Sequence, residues 1–272
     1  MKLVALYTLL RVPLRGQQIL WLDSGEADAE IPVINRDNIE WIENRKPLRK
    51  YQRAQSFIKK CTDDSAGMFV TTNKTGGKSY SIPYMPPDLA YWIIRLRDWQ
   101  SKYNPLTEPT PWTKIDLRQK INKDVLRSRG SQTFLFRDPC SSKGHRYSPM
   151  QTTTAFSRSL PALLFEIQRP DKGLAELDSC RPRTTLYKSK FTAHSLRTSL
   201  ITALLVDGGA SAETLMKLVG HATIVMTLYY AKIGPKVMQL ELGEAEKRAL
   251  KSEVDRLKDL AFTRKIEAAK SV

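Results

Sequence analysis

The chain has 272 residues, with 44 Lys and Arg against 28 Asp and Glu, giving a formal net charge of +16 and an isoelectric point near 9.8. A hydrophobic fraction of 41% supports a folded core, and aromatic residues spread along the whole chain argue against disorder. The excess of positive charge suits a polyanion, no apolar run approaches the ~18 residues of a membrane span, and Cys61, Cys140 and Cys180 form no metal-type pair and fit a reducing interior.

The opening MKLVALYTLLRVPLRG sets Lys2 before an apolar stretch, but Arg11 interrupts it and no small-residue cleavage site follows. It reads as a buried helix rather than a signal peptide. Pro13 and Gly16 separate it from Leu14, Ile19, Leu20 and Leu22, which predicts two short helices or a kinked one. The polar run SGEADAE leads into a strand at Ile31-Pro32-Val33-Ile34. Residues 36–67 are strongly basic, and Trp41, Ile42, Tyr51, Ala54, Phe57 and Ile58 recur near helical spacing. A solvated helix face and a DNA-contacting one are equally open there. Residues 68–72 and 79–82 read as strands around a hairpin turn that holds Lys74, Gly76, Gly77 and Lys78.

Pro86-Pro87-Asp88 opens a helix with an apolar stripe of Leu89, Trp92, Ile93, Leu96 and Trp99. Residues 104–131 take no firm assignment. Phe134-Leu135-Phe136 is a short buried segment before a polar loop, 137–147. Ser148-Pro149 then opens a helix with Thr152, Thr153, Thr154 and Arg158 outside and residues 160–167 in the core. Residues 171–190 read as a polar loop. The fold class is therefore mostly α with a small antiparallel β-sheet (α+β).

Residues 191–234 hold two of the three histidines. Leu196, Leu200, Ile201, Leu204 and Leu205 predict a packed helix ending at Gly208-Gly209. Ser211 can cap a second helix that stops at Gly220, and Thr223 a third that ends at Gly234-Pro235. The three bring His194, Arg197, His221 and one of Tyr229 or Tyr230 to helix ends or faces. Residues 235–272 predict a helical tail with Leu250, Val254, Leu257 and Ala261 on one stripe.

The ordered set His194-x-x-Arg197, Leu218-Val219-Gly220-His221 and Tyr230, nine residues after His221, resembles the tyrosine recombinase (phage integrase) family. Thr227 also falls where that family usually has a threonine. VPLRGQQ is similar to the family's first arginine element, making Arg15 the counterpart, although Gln18 stands where an acidic residue is usual. The hairpin resembles the one that presents a catalytic lysine, with Lys74 in that place and Lys78 as its substitute. The helix bearing Thr152, Thr153, Thr154 and Arg158 is similar to one that lies along the DNA backbone. The likeness covers residues 5–33, 68–103, 133–168 and 190–234, leaving 36–67 and 104–131 as insertions.

The resemblance implies a site-specific recombinase or integrase that cuts and rejoins DNA through a 3′-phosphotyrosyl intermediate. Residues 1–234 would be its catalytic domain, 235–272 a tail docking in trans or packing in cis, and the N-terminal core-binding domain absent. Arg15 and Arg197 would hold the non-bridging oxygens of the phosphate with charge-assisted hydrogen bonds, with His221 as a third donor. Tyr230 would attack phosphorus, His194 would take its proton and Lys74 would protonate the departing 5′ oxygen. No cofactor or metal is implied. Double-stranded DNA, a homo-tetramer on paired sites resolving a Holliday junction, and accessory DNA-bending proteins are the partners implied, in the cytoplasm on the nucleoid and without a membrane. A type IB topoisomerase-like relaxing enzyme and a non-catalytic DNA-binding relic are the alternatives, and either tyrosine of the Tyr229-Tyr230 pair can face the arginines, with family spacing selecting Tyr230.

Overall fold

The computed structural model describes residues 1–220 apart from 37, 47, 49–53, 62–64, 73–78, 116, 118–120, 142–145 and 179–185. Helix α1 (Lys2–Arg11) buries Ala5, Leu6, Thr8 and Leu9. It stops at Val12, which is extended as a residue before proline prefers. A short helix α2 (Gly16–Leu20) follows, buried through Gln18, Ile19 and Leu20. The apolar opening is thus two helices and both are part of the core.

Two antiparallel units come next. Strands β1 (Glu30–Asn35) and β2 (Asn38–Glu43) pair as a hairpin. Strands β3 (Ile58–Lys60), β4 (Ala66–Val70) and β5 (Tyr80–Ile82) form a sheet in that order, with Met68 opposite Ile82 and Val70 opposite Tyr80. The helical spacing expected through 36–67 is therefore overturned for its described part. In β2 the partly buried Ile39 and Trp41 alternate with exposed Asn38, Glu40 and Ile42, a period of two rather than 3.6. Tyr51 lies outside the described residues.

Helix α3 (Pro87–Tyr103) starts on proline with Asp88 in its first turn, as expected. Its buried face, however, is Leu89, Ala90, Ile93, Ile94, Leu96, Arg97 and Gln100, while Trp92 and Trp99 are exposed. The face is rotated because two polar side chains are satisfied inside. Arg97 Nη1 donates to the Pro32 carbonyl at 2.6 Å, and Gln100 Nε2 donates to the carbonyls of Arg137 at 2.7 Å and Leu135 at 3.1 Å. Polarity alone cannot tell such residues from surface ones.

Residues 104–131 carry structure of their own. Strand β6 (Thr110–Pro111) pairs with β7 (Ser131–Gln132), and a 3₁₀ turn (Trp112–Lys114) and helix α4 (Lys123–Ser128) lie between them. Trp21, Trp112, Ile115 and Phe134 build a second core. Trp112 meets Trp21 and Phe134 edge-on at 5.1 and 5.3 Å, and the Arg129 guanidinium lies 4.6 Å from the Trp112 ring centre.

The helix expected to open at Ser148-Pro149 begins later. Pro149 bridges to Arg137, and the Met150 amide donates to the Phe136 carbonyl at 2.8 Å, so this stretch is extended. A π-helical segment (Thr153–Ser157) then runs into α5 (Ser159–Ile167). Leu160 and Leu164 are buried, as expected, but Ile167 is exposed. The expected loop at 171–190 contains a small ribbon, β8 (Glu176–Leu177) with β9 (Tyr187–Lys188). Helix α6 (Ala193–Val206) is capped by Thr192 and α7 (Ala212–Val219) by Ser211. Gly220 ends α7 in the left-handed conformation that glycine adopts without strain (φ +66°).

The molecule is α+β with small antiparallel sheets. Cys61 and Cys140 are free thiols. Among the described residues no helix is long and apolar enough to cross a membrane.

Candidate functional site

A cavity of about 460 Å³ opens where α2, the π-helical segment and α6 converge. Arg15, Thr152, Ser189, Thr192, His194 and Arg197 supply its polar lining, and Phe156, Leu160 and Phe191 are among its apolar walls. None of the residues lining it carries a carboxylate. Two guanidinium groups and an imidazole thus share one space whose lining residues include no Asp or Glu, which favours an anionic guest.

Local folding explains the placement. Arg15 is the N-cap residue of α2, extended at φ −70° and ψ 142°, immediately after the buried Pro13-Leu14 turn. Gly16 lets this corner approach the π-helical segment: a Cβ there would lie 3.0 Å from the Phe156 ring. His194 and Arg197 occupy the first turns of α6, where the Thr192 hydroxyl accepts from the Ser195 amide at 3.2 Å and the Thr192 amide donates to Ser195 Oγ at 2.6 Å. The positive end of α6 therefore faces the cavity along with its side chains. Arg197 is 1% exposed, whereas the Arg15 Nη1 atom is buried and meets no hydrogen-bond partner among the described residues. A buried charged donor in that state is costly unless something fills the space beside it.

Gln18 does not bind the Arg15 guanidinium. Its Oε1 accepts from the Arg15 backbone amide at 3.1 Å, and its Nε2 donates to the Thr72 carbonyl at 2.8 Å. The amide thus joins the arginine corner to the end of β4, just before the hairpin residues 73–78. A carboxylate could accept from Arg15 but could not donate to Thr72 unless protonated.

Tyr80 on β5, which sequence reading passed over, does not line the cavity but packs its ring against Gly220 at the end of α7. Its hydroxyl is buried. Burial pushes its pKa up to about 12, against the opposing pull of Arg197, of the Gln18 side chain and of Arg15. The phenol is neutral at any working pH and lies within electrostatic reach of both arginines. Its only sequence signal was the alternation of a short strand.

Among the expected site residues, Arg15, Thr152, His194 and Arg197 line one cavity. Thr153, Thr154 and Arg158 are not among its lining residues; the threonines are partly buried and Arg158 is exposed. Lys74, Lys78, His221, Tyr229 and Tyr230, the third helix and the tail 235–272 lie outside the described residues. A smaller cavity of about 190 Å³ is lined by Asp23, Asp28 and Thr133. Burial raises Asp23 to about 7, with Asp28 adding to the rise, and raises Asp28 to about 6. Both carboxylates accept several hydrogen bonds.

Residues 1–113 match a protein-family model described as "Putative integrase". That stretch includes Arg15 and Tyr80 and ends before His194 and Arg197. Among curated proteins none matches the chain. Two solved structures of the Tn1549 transposon integrase are similar: one in complex with transposon right end DNA (TM-score 0.40, 16% identity) and one with a circular intermediate DNA (0.39, 15%). Each alignment covers 89% of this chain, and the chain spans 58% and 57% of those two proteins respectively. The first 113 residues of the chain are integrase-like in sequence.

Proposed function

We propose that the chain is a DNA strand transferase of the tyrosine recombinase type, an integrase that cuts and rejoins duplex DNA through Tyr230. The observation that carries this is the convergence of Arg15, His194 and Arg197 on one cavity lined by no carboxylate. A phosphodiester in the cavity would supply the anion that the buried Arg15 Nη1 atom lacks.

The chemistry follows from these groups. Negative charge gathers on the non-bridging oxygens as phosphorus becomes five-coordinate. Arg15 and Arg197 stay charged at working pH and hold those oxygens through forked hydrogen bonds, with His221 as a further donor. The Tyr230 oxygen forms a bond to phosphorus as the bond to the 5′ oxygen breaks. His194 accepts the phenolic proton, and Lys74 gives one to the departing 5′ oxygen. Rejoining runs the same steps in reverse, because the phosphotyrosyl bond retains the diester linkage. Thr152, Thr153, Thr154 and Arg158 contact the backbone nearby, and the surplus of positive charge makes affinity fall steeply with salt. Four protomers on two DNA sites exchange strands in pairs through a Holliday junction, with 1–234 acting as the catalytic domain.

A duplex nicked beside the cleavage position, so that the released fragment diffuses away, traps the intermediate. A covalent protein–DNA adduct is expected, lost in Tyr230→Phe and retained in Tyr229→Phe. No adduct on any site would leave a DNA-binding relic, and plasmid relaxation by the monomer would point to a topoisomerase.

A further inference from the structure

We propose that Tyr80 is a positioning residue for this site, setting the spacing between the arginine pair and the glycine turn at the end of α7; the proposal rests on the recombinase reading. Strand β5 holds Tyr80 in register opposite Val70, so its ring cannot slide along the sheet. The hydroxyl end of the ring lies under Gly220. A Cβ on that glycine would fall 2.6 Å from Tyr80 Cζ and 3.0 Å from its oxygen. The backbone of α7's last turn thus rests directly on the phenol, in a left-handed conformation at φ +66°. The next residue in the chain is His221.

The same oxygen is buried and meets no hydrogen-bond partner among the described residues, while the charges of Arg197 and Arg15 both pull against the rise in its pKa. A neutral oxygen there keeps an unshared lone pair in the field of two cations that repel each other. It does so without neutralising them, as a carboxylate would. The ring sets how closely α7 approaches, and the oxygen sets how the guanidinium groups rest before substrate arrives. An aliphatic residue at this strand position would fill the core and do neither.

The hydroxyl is tested by Tyr80→Phe, which keeps the ring under Gly220. The variant should melt within about 2 °C of the wild type. It should bind duplex DNA within about twofold, because many backbone contacts share that affinity. It should form the Tyr230 adduct about tenfold more slowly at saturating DNA. With inorganic phosphate as a probe of the cavity alone, followed by its effect on melting, affinity should drop about fivefold. Wild-type cleavage and phosphate binding in Tyr80→Phe would overturn the proposal, as would an activity loss that tracks a fall in melting temperature. A wild type that binds phosphate but forms no adduct would end the recombinase reading alone, and the phosphate titration of Tyr80→Phe would then decide the role of Tyr80. A cavity that binds no phosphate at all would end both.

Discussion

Two polar clusters sit at opposite ends of α2, and they solve opposite problems. After its C-terminus, Asp23, Ser24, Glu26 and Asp28 are buried. Glu26 accepts from Arg137 Nη1 at 2.7 Å and Nη2 at 3.2 Å, Asp23 accepts from Gly25 and Thr133, and Asp28 accepts from the Gln55 and Ser56 amides. None of these side-chain atoms is left without a partner. At its N-terminus, Arg15 shares a cavity with His194 and Arg197 and keeps a buried donor unmatched within the described residues. A satisfied buried network holds the fold together, whereas the cationic corner leaves the Arg15 Nη1 donor unmatched among the described residues. Burial and charge alone do not separate the two; hydrogen-bond accounting does.

The contrast breaks most severely at Arg137. Arg137→Ala strands Glu26 in the interior and should cost about 3–5 kcal/mol in denaturant unfolding, with DNA contacts untouched. Next comes pH. The Asp23 carboxyl titrates near 7 in the fold and near 3.8 in an unfolded chain. Between these values the folded protein holds a proton that the unfolded chain has released. Stability from this group is thus full below about pH 4 and falls as pH rises toward 7, by up to about 4 kcal/mol. Urea midpoints across that range measure it, and Asp28, raised to about 6, adds in the same direction.

Gln18→Glu sharpens the comparison from the other side. It sets a carboxylate against the Thr72 carbonyl and should cost about 2 kcal/mol near neutral pH, recovering in acid once the group can donate again. Thr192→Ala should cost about 1 kcal/mol through loss of the α6 cap, read as a lowered melting temperature.

Much of the fold was legible wherever hydrophobic periodicity and capping agreed. The apolar opening, the start of α3, the buried Phe134-Leu135-Phe136 and the limits of α6 and α7 follow from them. The failures share one cause. SGEADAE reads only as a polar run, because nothing local reveals that Arg137 and Thr133, more than a hundred residues away, will satisfy it. Trp92 and Trp99 look like core because Arg97 and Gln100 do not, and the inward face of α3 depends on distant carbonyls. At the site, Arg15, His194 and Arg197 were named from a spaced motif, and they line a single cavity. Tyr80 was invisible because its role comes from the register of β5 and the close approach of Gly220, neither of which leaves a motif.

The central claim is that Arg15 and Arg197 act on the charge of one phosphate. Single-turnover cleavage of duplexes carrying either an ordinary phosphate or an uncharged methylphosphonate at the scissile position tests it directly. Arg197→Ala should lose about 10³-fold on the phosphate and far less on the methylphosphonate, where there is less charge to meet. An equal loss on both substrates would show that the cavity does not work through the charge of the phosphate, and the account would fail.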